Sequence, residues 1–128
     1  MATAIVCIGL LGLLVFGLGL GVSALRGRSN TISGYKDDPA DQLYRWVRAH
    51  GNTAEYAPML SVLYFVVGWR GPSAWIGWVI IAATLSRYLI AIGITTGPTL
   101  ARPHPLRFVG AVGTYVCGLI LSLYVILA

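Results

Sequence analysis

The sequence predicts an all-α integral membrane protein, a four-helix bundle of up-down topology, and three observations carry that prediction. Of 128 residues, 57% are apolar and only 10% charged, whereas a soluble domain carries roughly a quarter charged residues to cover its surface. The mean hydropathy of +0.78 is concentrated in runs near the ~20 residues that cross a bilayer at about 1.5 Å per residue. Turn-forming and charged residues fall mostly between those runs. The formal net charge of +5 raises nucleic acid as a partner, but the basic residues flank apolar runs or sit just inside them. No basic domain presents them to a duplex, so they read instead as orienting charges and as an anion site.

The first run, residues 4–25, holds no charge. It is too long for the apolar core of a signal peptide, and no basic residue precedes it, although Val22-Ser23-Ala24 looks like a cleavage site. It reads as the first membrane helix, with Gly17 and Gly21 spaced for a close helix contact. Residues 26–41 read as a polar loop rich in turn formers, among them Asn30, Gly34 and Pro39. A second helix spans about 40–69, polar in its first half and apolar from Tyr56. After the turn at Arg70-Gly71-Pro72-Ser73, a third spans 74–95, broken only by Arg87. Gly97-Pro98 and Arg102-Pro103-His104-Pro105 make the last loop, and a fourth helix spans 106–127. The chain is one domain, residues 1–128, with no internal repeat. Cys7 and Cys117 lie inside apolar runs at no metal-binding spacing and read as small core residues.

Basic residues orient the bundle. Arg26, Arg28, Lys36, Arg45 and Arg48 flank the first loop, and Arg102 and Arg107 flank the third, against Arg70 alone at the other end. Both termini are therefore expected to face away from the cytoplasm, with Trp69, Trp75 and Trp78 in an aromatic belt at that far side.

The second helix carries the informative pattern. At about 100° per residue, Arg45, Arg48, Asn52, Glu55 and Tyr56 fall within roughly a quarter of its circumference, and Pro58 is expected to kink the helix just past them. Glu55 lies 14 residues from Trp69, and Arg87 13 residues from Ala74. Each is thus about 20 Å from the far surface, within the hydrocarbon. A charge there costs at least ~2.5–3.5 kcal/mol on insertion scales and must face protein or water, so Glu55 and Arg87 are expected to offset part of that cost for each other. A buried ion pair fixing helix register explains this pair as well as function does. It does not explain the excess of Arg48, Arg87 and Arg107 over one carboxylate. Guanidinium forks, an amide and tyrosine hydroxyls suit a carboxylate-bearing ligand. Arg45 is expected to snorkel to lipid headgroups. His50 and His104 read as interfacial, lacking partners at triad or metal spacing.

The order Arg48-x-x-x-Asn52-x-x-Glu55-Tyr56-x-Pro58 on a second membrane helix, with Arg87-Tyr88 late in the third and Arg107 opening the fourth, resembles the MAPEG family, the membrane-associated proteins in eicosanoid and glutathione metabolism. The resemblance covers nearly the whole chain. It implies a homotrimer in a membrane, here a bacterial inner membrane, binding glutathione as co-substrate between helices of adjacent subunits near the cytoplasmic face. By that pattern Arg48, Asn52, Glu55 and Tyr56 hold the tripeptide, Arg87 and Tyr88 line the site, and Arg26 or Arg28 adds a further basic contact. Arg107 stabilises the thiolate, with Arg102 as its competitor. The implied activity is glutathione-dependent transfer to, or peroxide reduction of, lipophilic substrates, with no metal. Two departures, Ile92 where some eicosanoid-forming members carry a second tyrosine and a longer loop at 97–105, point to a bacterial-type member. A non-enzymatic protein of the same fold that binds a lipid headgroup or other anion is the competing reading. A transporter is a weaker one, because the intramembrane charges all sit toward one mouth, with none across the midplane.

Overall fold

Four helices form where the apolar runs lie, and the computed structural model describes all 128 residues. They are α1 (Ala2–Ser29), α2 (Gln42–Trp69), α3 (Ala74–Thr96) and α4 (Pro105–Leu127). Seven of the eight helix bounds agree with the sequence to within two residues. α1 does not stop at residue 25, because Arg26 and Arg28 occupy its last turn, where cations favour the carbonyl end of a helix. Asn30 closes it in the left-handed region at φ 53, its N–H reaching the Arg26 carbonyl. α2 starts at a standard N-cap, the Asp41 carboxylate accepting the Tyr44 N–H at 3.0 Å. Pro58 lies within α2, which continues past it to Trp69. α4 opens with Pro105 at its first position, and the His104 ring caps it by accepting the Leu106 N–H.

The topology is up-down. Met1 and Ala4 pack against Gly68, and Arg70 donates to the Val125 carbonyl at 2.7 Å, so both chain ends share a face with the α2–α3 turn. The opposite, basic end gathers the other two loops. α1, α3 and α4 are each long and apolar enough to cross a membrane. α2 has their length but is interrupted by its polar half.

Two apolar clusters fill the interior. The larger, toward the far end, includes Leu11, Tyr64, Val67, Ile76, Ile80 and Leu121; the smaller, toward the basic end, is Leu18, Ala49, Ile90, Ala91 and Ile94. Along α2 the two are separated by residues 50–56, and along α3 by residues 84–89. That interval is where the polar side chains stand. α3 and α4 touch backbone to backbone: a Cβ on Gly110 would sit 2.6 Å from Ser86 O and Ile90 N. On α1, Gly21 faces the Trp46 ring while Gly17 faces open space, so the expected small-residue contact is made by one glycine of the pair. The outer faces of α1 and α4 remain apolar and uncovered, Phe16 and Phe108 among them.

Candidate functional site

The helical phase of α2 decides which of its polar side chains enter the bundle. With Asn52 at zero, about 100° per residue puts the buried positions Ala49, Thr53, Ala57, Leu60 and Tyr64 between roughly 60° and 140°. Tyr56 lies at about 40°, Arg48 near −40° and Glu55 near −60° by the same rule. Asn52 and Tyr56 therefore stand at the edge of the packed face, while Arg48 and Glu55 are exposed on the bundle's outer surface.

Arg87 reaches α2 from α3 along that edge. It is 1% exposed and donates through Nη2 to Asn52 Oδ1 at 2.6 Å. Its guanidinium carbon lies 4.9 Å from the centre of the Tyr56 ring, a cation–π contact. The expected Glu55–Arg87 pairing is not made. Glu55 points about 60° to the outer side of Asn52, so the amide and the ring satisfy the cation instead. Arg87 Nε stays buried without a partner, as does Thr53 Oγ1. Beyond the ring, the Tyr56 and Tyr115 hydroxyls are 3.2 Å apart. This joins α2, α3 and α4 in one polar layer between the two apolar clusters. Tyr115 was not picked out from the sequence, though depth could have found it: it is 12 residues from Leu127 as Tyr56 is 13 from Trp69. Below the tyrosines a groove of about 320 Å³ runs between α2 and α4, lined by Met59, Leu63, Leu119 and Ser122.

The other candidates lie elsewhere in the protomer. Tyr88, one residue and so about 100° from Arg87, donates to the Leu10 carbonyl of α1 at 2.8 Å. Arg26 lines a cleft of about 620 Å³ between α1 and α2, with Ser23, Gly19 and His50, and donates to Gly34 O at 3.4 Å. That cleft is on the Trp46–His50 side of α2, about 150° around the helix from the polar stripe formed by Arg48, Asn52, Glu55 and Tyr56. Arg28 is exposed. Arg107 is half-buried at the start of α4 and donates to Arg102 O at 3.0 Å and Leu100 O at 3.4 Å, while the Arg102 side chain is exposed. Arg45 does not snorkel to the surface. It donates to Thr95 O at 2.9 Å and to Gly97 O, because the end of α3 presents unpaired carbonyls within its reach.

The structure thus brings Asn52, Tyr56 and Arg87 together and leaves Arg48 and Glu55 beside them on the outer face. It keeps Arg26, Arg28 and Tyr88 on the α1 side. The sequence profile of the MAPEG family matches residues 4–127. The chain belongs to the MAPEG family. Comparison with curated proteins and with solved structures finds no match. The four-helix membrane bundle is the family's fold, and in this MAPEG chain the motif on α2 coincides with the polar layer described above.

Proposed function

We propose that the protein is a membrane-bound, glutathione-dependent transferase or peroxidase acting on lipophilic substrates, working as a homotrimer with its basic end toward the cytoplasm. The observation that carries this reading is the polar layer: a buried arginine held by Asn52 and Tyr56, with Arg48 and Glu55 unburied at its margin. Glutathione carries two carboxylates and one ammonium, and that balance suits an arginine-rich site with a single carboxylate. Guanidinium forks take the carboxylates, and Glu55 takes the ammonium. The family includes glutathione transferases and peroxidases, which supports the reading.

The chemistry then asks little of the protein beyond placement. A thiol of ordinary pKa ~8.5 is mostly protonated at neutral pH, and a guanidinium beside the sulfur lowers that value. In this reading Arg107 plays that part. The thiolate attacks an electrophilic carbon arriving from the bilayer, forming the S–C bond as the leaving group departs with its electron pair. With a peroxide, the sulfur attacks the hydroxyl oxygen, the O–O bond breaks and the alcohol leaves; a second glutathione then displaces water from the resulting sulfenic acid to give the disulfide. Positioning and charge stabilisation supply the acceleration. The stripe of one subunit and the Arg26 cleft of the next would form the two halves of the site.

Calorimetric titration of the purified protein with glutathione tests the reading. Binding is expected at millimolar or lower concentration, weakened at least about tenfold, or 1.4 kcal/mol, in Arg48→Ala and in Glu55→Ala. Binding indifferent to both substitutions removes it. Loss of conjugation in Arg107→Ala with retention in Arg102→Ala identifies Arg107 as the catalytic arginine. A second reading, an anion-binding protein without catalysis, is favoured by one observation: Arg107 is already engaged by two carbonyls of its own loop. Binding without conjugation of any electrophile is its signature.

A further inference from the structure

The turn between α3 and α4, residues 97–104, is held by contacts from two other parts of the chain. Arg45 of α2 donates through Nη1 to the carbonyls of Thr95 and Gly97. The Leu100 N–H donates to the Pro39 carbonyl of the first loop at 3.0 Å. From within α4, Arg107 donates through Nη1 to the carbonyls of Leu100 and Arg102. The peptide groups of Leu100 are therefore gripped on both sides, one by the first loop and one by Arg107. The stem of Arg107 is fixed as well, since it lies where a Cβ on Gly93 would stand 2.8 Å from its Cγ. Both of its loop bonds use the same terminal nitrogen, so Nη2 and Nε stay available to an anion. Capping a helix end does not require this construction. Water satisfies exposed terminal carbonyls, whereas here Arg45 Nε is buried with no partner, an unfavourable state that a solvent-exposed cap avoids.

We propose that Arg45 is a positioning residue for Arg107: by clasping the end of α3 it fixes the loop whose carbonyls aim the Arg107 guanidinium. The proposal rests on the reading that Arg107 stabilises a glutathione thiolate. Arg45 itself touches neither sulfur nor electrophile. Its loss frees the loop, lets the Arg107 guanidinium move off the sulfur, and returns the bound thiol toward its ordinary pKa.

The test uses the full-length protein in detergent, with glutathione and a chloronitrobenzene as model electrophile. In Arg45→Gln, glutathione affinity stays within about twofold, while the apparent pKa of the bound thiol, read from its ultraviolet thiolate absorbance, rises by about one unit. Conjugation at neutral pH falls about tenfold and recovers toward wild type as pH rises, because the thiolate fraction is what was lost. Arg45→Lys keeps the charge but not the fork, and shows part of the shift; it carries the test if Arg45→Gln does not fold. The charged and titratable groups on the segments around Arg107 are Asp38, Asp41, Arg45, Arg102 and His104. The profiles are compared in a His104→Asn background, which takes the imidazole out of the comparison and keeps a side-chain cap on α4. An unchanged thiol pKa, or a rate loss equal at every pH, overturns the proposal while leaving glutathione chemistry standing. Wild-type protein that binds no glutathione overturns both.

Discussion

A guanidinium buried to 1% exposure inside a membrane bundle is tolerable only if its donors find acceptors. Arg87 has one short hydrogen bond, to Asn52, and one aromatic face, on Tyr56. Removing the acceptor strands the charge, whereas removing both partners together strands nothing. Asn52→Leu is therefore expected to cost about 1.5–3 kcal/mol, the range for hydrogen bonds to charged groups. The double variant Asn52→Leu/Arg87→Met is expected to be more stable than that single one. Thermal unfolding in one detergent compares the two, and a double variant weaker than the single one would contradict this account. At this scale depth and phase located three members of the polar layer, Asn52, Tyr56 and Arg87, but not their pairing. Counting along α2 and α3 placed Glu55 and Arg87 at one level. It did not show that the packed face of α2 lies on the Tyr56 side of Asn52, because the direction in which a helix packs is set by its neighbours. The same lack hid the role of Arg45, which depends on where α3 ends rather than on anything in α2.

Among the elements, α3 and α4 make the contact most sensitive to a single atom. Gly110 lies over Ser86 O and Ile90 N at a distance where a Cβ would stand 2.6 Å away, and both of those atoms are backbone, unable to yield as a side-chain tip can. Gly118, on the same helix, would place its Cβ 4.0 Å from a Leu60 methyl, ordinary contact. Gly110→Ala is expected to lower stability by about 1–3 kcal/mol, the cost of overpacking. Gly118→Ala is expected to be neutral or slightly stabilising through helix propensity. Detergent-solubilised melting curves decide between them, and equal behaviour would refute the close packing. Helix number, order and seven of eight bounds were legible because a bilayer permits few backbone solutions and the runs match its thickness. The end of α1 was not, since Arg26 and Arg28 read equally as loop residues until Asn30 is seen to close the helix. The glycine spacing on α1 includes the close Gly21–Trp46 contact but carries no sign of the α3–α4 contacts at Gly93, Gly110 and Gly113.

The whole bundle leaves two kinds of outer surface, and they make different demands. Leucines and phenylalanines on α1 and α4 are as content against lipid chains as against protein, so their exposure does not call for a partner. Glu55 is another matter: it is exposed on α2, about 20 Å from the far end, where lipid offers it nothing. In the proposed trimer that side of α2 meets a neighbour, and the neighbour contributes its Arg26 cleft. The stripe and the cleft of one protomer are about 150° apart around α2, too far around the helix for one ligand to touch both. A shared site has a consequence that a site within one subunit cannot imitate. Arg26→Ala and Arg48→Ala, each assembled alone, should lose most glutathione binding. Co-expressed in equal amounts, they should recover about a quarter of the wild-type sites, because in a closed ring of random composition that fraction of interfaces joins an intact stripe to an intact cleft. Calorimetric stoichiometry on the mixed, co-purified oligomer measures the recovery. If instead the site lies within each subunit, every subunit carries a defect and mixing restores no binding at all.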